Sequence, residues 1–138
     1  MFARVLKPKT DLAFTALRVV VGLLFSFHGM QKVFGLLSPG QPPFGSQLWV
    51  GGVIELVTGL TIAAGIWTRC AAFVASGQMA VAYTQFHWKL AFDSHFFPAI
   101  NKGELALVYS FFFLYVACYG AGPYSLDALR EKRRSSAK

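Results

Sequence analysis

Four runs of mostly apolar residues fill the greater part of the chain, at residues 12–34, 48–67, 70–88 and 105–126. Each is close to the roughly 20 residues that an α-helix needs to cross the hydrocarbon core of a bilayer. Turn-forming residues separate the runs, most clearly in the segment 38–45. The pattern predicts an all-α integral membrane four-helix bundle, built as one domain over residues 1–138.

Composition supports the membrane prediction. Hydrophobic residues make up 55% and charged residues 14% of the 138-residue chain, whereas about 25% of residues are charged in a soluble domain. A short soluble chain needs abundant polar surface, because it buries a smaller share of its area than a long one. The composition therefore argues against an ordinary soluble enzyme and against a disordered tail protein.

The net charge of +7 arises from cations clustered beside the runs, with no basic face that could bind nucleic acid. Lys and Arg accumulate in cytoplasmic loops. Placing both termini in the cytoplasm puts nine cations inside, namely Arg4, Lys7, Lys9, Arg69, Arg130, Lys132, Arg133, Arg134 and Lys138. Only three then lie outside, namely Lys32, Lys89 and Lys102. We therefore expect both termini in the cytoplasm, and a basic tail over 127–138.

The tail begins at Ser125, a possible helix N-cap, and carries four cations close together: Arg130, Lys132, Arg133 and Arg134. Cations at a helix C-terminus complement the helix dipole. We expect these four side chains to contact lipid headgroups, or alternatively a soluble partner.

Several ionisable or polar residues fall inside the predicted spans, where they are costly and are functional candidates by default. At 100° per residue, Arg18, Gly22, Phe25, Gly29 and Lys32 share one stripe of the first helix, with His28 on its flank. In the second helix Glu55 lies on a stripe of small residues. For the fourth helix the pattern predicts a shared face, consisting of Glu104, Val108, Phe111, Tyr115 and Cys118.

A helix rises about 1.5 Å per residue, which gives the approximate depth of each residue in the bilayer. Part of this polar set then lies toward the outer side of the membrane, and Arg18 lies in the inner half. The predicted cluster is His28, Lys32, Glu55, Gln85 and Glu104. A histidine, a carboxylate and a lysine together could bind a membrane quinone and exchange protons with it. A buried structural ion-pair network would leave the same pattern in the sequence. Gln78 is interpreted as a packing residue.

Other chemistries have weaker support. A haem held by His28 and His87 is disfavoured, because their depths differ by roughly 5 Å and His87 should point about 180° from Gln78. A metal site at His28 and Glu55 lacks further protein ligands. No nucleophile triad or phosphate loop is present, so we do not expect the chain to be catalytic alone.

Five separated motifs resemble the DoxX family of small four-helix membrane proteins over residues 12–129: LR at 17–18 followed by FHGMQK at 27–32, GVIE at 52–55, GQMAVAY at 77–83, NKGE at 101–104 and GAGPYSLD at 120–127. The family name comes from the small subunit of a thiosulfate:quinone oxidoreductase. The resemblance implies a subunit or adjunct of a quinone-linked oxidoreductase in a bacterial inner membrane, with Arg18, His28, Lys32, Glu55 and Glu104 as its polar set. One departure is Gln78, where the family usually has Glu.

Two other functions remain open at this point. The chain could be a structural accessory subunit that packs on a larger respiratory or photosynthetic complex. It could also be a small-solute transporter, although the sequence shows no inverted repeat or discontinuous helix. Expected partners are membrane lipids and either redox subunits or further copies of the chain.

Overall fold

The computed structural model describes residues 7–137, which form six α-helices and no β-strand. In chain order these are α1 (Thr10–Phe34), α2 (Gln47–Ala64), α3 (Thr68–Ala82), α4 (Pro98–Asn101), α5 (Glu104–Tyr119) and α6 (Leu126–Ser135). A π-helix, Tyr83–Trp88, directly extends α3, and two short 3-10 segments lie at Lys7–Lys9 and Ser94–Phe96. The all-α prediction is confirmed. Arg4 and Lys138, which entered the charge count, lie outside the described residues.

The helix ends differ from the predicted runs in two places. The break between α2 and α3 falls at residues 65–67, because Gly65 takes a left-handed conformation (φ 72°) that ends α2. The predicted fourth run to residue 126 is wrong at its C-terminal end, because α5 stops at Tyr119 and Gly120 (φ 99°) follows. Among the described helices, α1 and α2 are long and apolar enough to cross a membrane, and α5 is a shorter apolar helix.

Glycine lets the backbones of α1 and α2 touch. A Cβ atom added at Gly22 would lie 2.8 Å from the Gly59 carbonyl oxygen, and one added at Gly29 would lie 2.6 Å from the Gly52 carbonyl oxygen. Both distances are shorter than real Cβ contacts. Small residues on facing stripes allow such close helix contact in membranes, so the predicted small-residue stripes of both helices are confirmed as a packing surface.

Helices α3 and α5 pack through small and aromatic side chains. The Ser76 hydroxyl donates to the Ser110 carbonyl at 2.8 Å, and the Ser110 hydroxyl donates to the Ser76 carbonyl at 3.1 Å. From α1, Phe25 packs on α5, with its ring tilted by 55° to that of Phe113 at 4.7 Å between centroids. Helix α3 also packs on α2, so these four helices enclose a common core.

The five residues predicted to share a face of the fourth helix do so, but that face points away from the core of the bundle. Its members are exposed in the structure: Glu104, Val108, Phe111, Tyr115 and Cys118. The buried face of α5 instead contains Ala106, Tyr109, Ser110, Phe113 and Val116. Almost every residue of α5 is apolar or aromatic, so hydrophobicity does not mark one face of this helix.

Two arginines cap helix C-termini at one end of the fold. Arg18, only 1% exposed, donates from Nη1 to the carbonyls of Ile62 and Ala63 and from Nη2 to that of Tyr124. Arg69 donates in the same way to the carbonyls of Ala117, Cys118 and Tyr119, at the end of α5. Because the last carbonyls of a helix lack partners within it, both side chains supply donors where they are missing.

Asp127 connects the first turn of α6 to the turn between α2 and α3. Its carboxylate accepts the backbone N–H groups of Trp67 and Thr68 and the Thr68 hydroxyl, each at 2.9 Å. Burial acts to raise the pKa of Asp127, but these hydrogen bonds and the nearby Arg130 charge outweigh it and hold the pKa below its usual value. Ser125 caps α6 as the sequence predicts, because its hydroxyl accepts the Ala128 N–H.

We expect Gly29→Ala to destabilise the protein, because the added methyl group collides with the backbone of α2. Overpacking of this kind costs about 1–3 kcal/mol. Gly77→Ala is the matched control, since a Cβ there meets nothing within 4 Å. Thermal unfolding in detergent should show a lower melting temperature for Gly29→Ala alone. Equal melting temperatures for the two variants would contradict the close contact of α1 and α2.

We expect Asp127→Asn to lower stability by about 1–3 kcal/mol at neutral pH, because the amide has one acceptor oxygen where the carboxylate has two, so part of the hydrogen bonding to Trp67 and Thr68 is lost. A carboxylate with a depressed pKa stabilises the fold above its unfolded pKa of about 3.9 and stops doing so as pH falls through the lower folded value. The difference in melting temperature between wild type and variant should therefore shrink below about pH 4. A difference that stays constant from neutral to acidic pH would show that the charge of Asp127 does not matter.

Candidate functional site

A buried ion pair joins α1 and α2. Lys32 Nζ lies 2.5 Å from Glu55 Oε1, and Glu55 is 1% exposed. Lys32 reaches this carboxylate across the glycine contact described above, since its own Cβ packs directly against Gly52. The pairing of these two residues was expected from their stripes, and a buried carboxylate without such a cation would be strongly disfavoured.

Gln78 of α3 completes the polar group. Its Nε2 donates to Glu55 Oε1 at 3.1 Å and to the Gly51 carbonyl at 3.0 Å. Gly51 makes the second bond possible, because a Cβ there would crowd Gln78 Nε2 at 3.2 Å. Gln78 therefore hydrogen-bonds across the helix interface, as the packing interpretation implies, and the buried carboxylate is its second acceptor.

Two oxygen atoms of this group are buried and have no hydrogen-bond partner: Glu55 Oε2 and Gln78 Oε1. Gln78 already donates through its NH₂ group to Glu55 Oε1 and to the Gly51 carbonyl, and neither of these oxygens can donate in return. Buried polar atoms are nearly always hydrogen-bonded, since leaving one unpaired costs about 1–3 kcal/mol. The polar group therefore has unused capacity to accept hydrogen bonds from a molecule outside the chain.

These residues line a cavity of about 490 Å³ between α2 and α3, called here the α2–α3 cavity. Lys32, Glu55 and Gln78 form its polar part. Most of the wall is apolar and is contributed by Leu48, Val50, Ile54, Phe73, Val74, Val81 and Phe86. Phe73 is 67% exposed and Val74 is 49% exposed, so the wall continues into the apolar outer surface of the helices. A concave apolar site with a few polar groups is the usual form of a small-molecule site.

The structure does not bring the whole predicted cluster together. His28 lies beside Tyr109 of α5, at 6.4 Å between ring centroids, and does not line the α2–α3 cavity. Glu104 is exposed at the start of α5, and Arg18 caps α2. Gln85 is exposed and accepts a hydrogen bond from Gln47, which lines the cavity. Of the predicted set, Lys32 and Glu55 meet in one site.

His87 lies on a different side of its helix from the one that the sequence predicts. A regular α-helix would point it about 180° from Gln78, yet both side chains line the α2–α3 cavity. The π-helix Tyr83–Trp88 explains the difference, because its wider turn rotates each successive side chain through a smaller angle. No motif in the sequence signals this π-helix.

The other candidates are metal ligands, the two cysteines and the cations of the tail. Within residues 7–137 no three His, Cys, Asp or Glu side chains come close enough to hold a metal ion. Cys70 and Cys118 are free thiols on the surface. The four cations of the tail are exposed on α6, namely Arg130, Lys132, Arg133 and Arg134, and Arg130 lies 5.9 Å from the centre of the Trp67 ring.

Comparison with known proteins adds family information. A family model described as DoxX matches residues 13–88, which is more than half of the chain and includes α1 from residue 13, α2, and α3 with the π-helix. An uncharacterized protein of Haemophilus influenzae is 42% identical over 115 residues, covering 80% of this chain and 85% of that protein. No solved structure matches the chain.

The match region contains every residue of the polar group at the α2–α3 cavity, and the two apolar helices α1 and α2 indicate a membrane protein. By the extent of the family match and the identity to its relative, the chain belongs to the DoxX family.

Proposed function

We propose that the chain is an integral membrane subunit or adjunct of a quinone-linked oxidoreductase, and that the α2–α3 cavity binds the quinone headgroup. The observation that carries the proposal is the pair of unpartnered buried oxygens, Glu55 Oε2 and Gln78 Oε1, beside an apolar cavity. An amphiphile with a small polar head and an apolar body matches both parts of this cavity.

The ion pair supplies the polar chemistry. Lys32 Nζ has hydrogens left after it contacts Glu55, and its side chain is 32% exposed, so it can donate to a quinone carbonyl. The two unpartnered oxygens can accept from the hydroxyls of the reduced headgroup. The same three residues can therefore bind either redox form, while a partner subunit carries the redox group and the chain itself is not catalytic alone.

The apolar wall favours entry from the lipid. Phe73 and Val74 face outward on α3, and Val81 of the same helix is 46% exposed. A headgroup with an isoprenoid tail could slide between α2 and α3 while its tail stays among the lipid chains. Burying apolar ligand surface against such a wall contributes about 25 cal/mol per Å².

We further propose four membrane crossings, formed by α1, α2, α3 with its π-helix, and α5, in a bacterial inner membrane with both termini in the cytoplasm. The cation bias supports this orientation. The basic face of α6 would then meet anionic headgroups, which attract Lys and Arg at the membrane surface. The exposed leucines Leu126 and Leu129 suit the same surface.

We expect Glu55→Gln to weaken binding of a short-tailed benzoquinone about 10- to 100-fold, because one of the charges that hold the headgroup is lost and Lys32 remains unpaired. The measurement is titration calorimetry on protein in nanodiscs. Val57→Ala is the matched control, since Val57 is 56% exposed on the same helix.

Full binding by a folded Glu55→Gln protein would contradict the proposed site. No binding by wild type would favour a structural accessory subunit instead. Stable co-purification with a larger complex, together with full activity of that complex when Glu55 is replaced, would then support that alternative.

We expect reporter tags at both termini to signal cytoplasm and a tag inserted in the loop 41–45 to signal the opposite side, because the cations lie mainly beside the termini and Arg69. The measurement is reagent accessibility in intact and in permeabilised cells. Termini on opposite sides would rule out an even number of crossings.

A further inference from the structure

The π-helix at the end of α3 redirects one titratable side chain. The Lys89 N–H donates to the Thr84 carbonyl at 2.9 Å, which is the i to i+5 bond of a π-helix. His87 lies inside this segment, and the change in helical twist brings it to the α2–α3 cavity. π-Helical turns occur frequently at functional sites. The π-helix and the cavity therefore indicate a role for His87 beyond packing.

A second cavity adjoins the first at this histidine. It measures about 420 Å³ and is called here the end cavity. Its wall includes three further basic side chains, Lys89, His95 and Lys102. The lysines are exposed, so water reaches this cavity. Only His87 and its neighbour Phe86 line both cavities. Of these two, His87 alone can bind and release a proton.

The imidazole is held in a defined tautomer. His87 Nδ1 lies 3.2 Å from the Asn101 carbonyl oxygen. Because a carbonyl can only accept, Nδ1 carries the hydrogen when this bond is made, and Nε2 is then the free acceptor of the neutral ring. Gly103 packs closely against the side chain, since a Cβ there would lie 2.8 Å from His87 Cβ and 2.7 Å from the Tyr83 ring. The ring is thus positioned by α4 and by the start of α5.

We propose that His87 carries protons between a ligand in the α2–α3 cavity and the water of the end cavity. The inference rests on the proposed function, because the ligand is taken to be a hydroquinone or quinone headgroup. A ligand hydroxyl donates to neutral Nε2. When the proton transfers, the ligand O–H bond breaks and an N–H bond forms at Nε2, and no electron moves with it. The imidazolium then breaks its Nδ1–H bond, on the side of Asn101, and that proton passes to water in the end cavity.

The charges around His87 fit this role. Lys32 and Glu55 are the charged groups on the side of the α2–α3 cavity, and Lys89, His95 and Lys102 are those of the end cavity. Tyr83 is the titratable neighbour on its own helix. His95 is itself paired with a carboxylate, since its Nδ1 lies 3.0 Å from Asp93 Oδ1. Histidine suits this exchange because its charge changes between about pH 5 and pH 8.

The test measures how strongly a short-tailed benzohydroquinone binds to protein in nanodiscs, under anaerobic conditions, from about pH 5 to pH 8. If neutral Nε2 accepts the ligand hydroxyl, wild-type affinity should rise about tenfold or more over this range, because histidine side chains change charge between about pH 5 and pH 8. His87→Gln should bind with an affinity that does not change with pH. His28→Gln removes the histidine beside Tyr109 and should keep the wild-type pH response.

The outcomes separate this inference from the proposed function. Binding by wild type that is flat or falls as pH rises overturns the role of His87 and leaves the headgroup site standing. An unchanged pH response in His87→Gln does the same. Absence of binding by wild type at every pH overturns the proposed function, and this inference with it. A uniform loss of affinity at all pH values in His87→Gln, with the slope retained, would show a purely structural histidine.

A second measurement tests the connection between the two cavities even if His87→Gln folds poorly. In a background with Cys70→Ser and Cys118→Ser, His87→Cys should react with a charged thiol reagent, because water reaches the end cavity. Bound hydroquinone should slow that reaction. Val108→Cys, on the exposed apolar face of α5, should be shielded by lipid and stay unreactive. A His87→Cys thiol that does not react, or that reacts equally fast with saturating hydroquinone, overturns the connection between the two cavities.

Discussion

The contact between Lys32 and Glu55 is the constraint on which the other features of the site depend. A carboxylate at 1% exposure is stable only with a cation close by. Lys32 can supply that cation because glycines let α1 and α2 approach until Lys32 Cβ packs against Gly52. The ion pair and the glycine contact between α1 and α2 therefore depend on each other, and loss of either would disturb the other.

Gln78 connects this pair to α3 and shapes what the site can accept. Its amide donates to the carboxylate and to the Gly51 carbonyl, so its remaining oxygen is available to a ligand. A Glu at this position would place a second carboxylate beside Glu55, and two neighbouring carboxylates disfavour ionisation of both. The glutamine instead donates a hydrogen bond to Glu55 Oε1.

Sequence reasoning was most successful where polar and small residues interrupt an apolar helix. The stripe of Arg18, Gly22 and Gly29 is buried as the 100° periodicity predicts. The same reasoning failed for α5, where apolar and aromatic residues surround the whole helix and no periodicity distinguishes the buried face. It also failed for His87, because the angle was computed for a regular α-helix and the π-helix has a different twist. Arg18 was correctly predicted to be buried, but its partners are carbonyls at the end of α2, which no residue pattern reveals.

The hydrogen bonds of Asp127 have a mechanical consequence for the C-terminal tail. Besides its carboxylate contacts, Asp127 donates its own N–H to the Gly65 carbonyl at 2.8 Å. Both the backbone N–H and the carboxylate of Asp127 therefore bond α6 to the turn between α2 and α3. A protein that docks on the basic tail and pulls it away would uncap the first turn of α3, and Gln78 lies further along that same helix. The same pull would also strain the bond from Arg18 of α1 to the Tyr124 carbonyl, so the tail is connected to α1 as well as to α3.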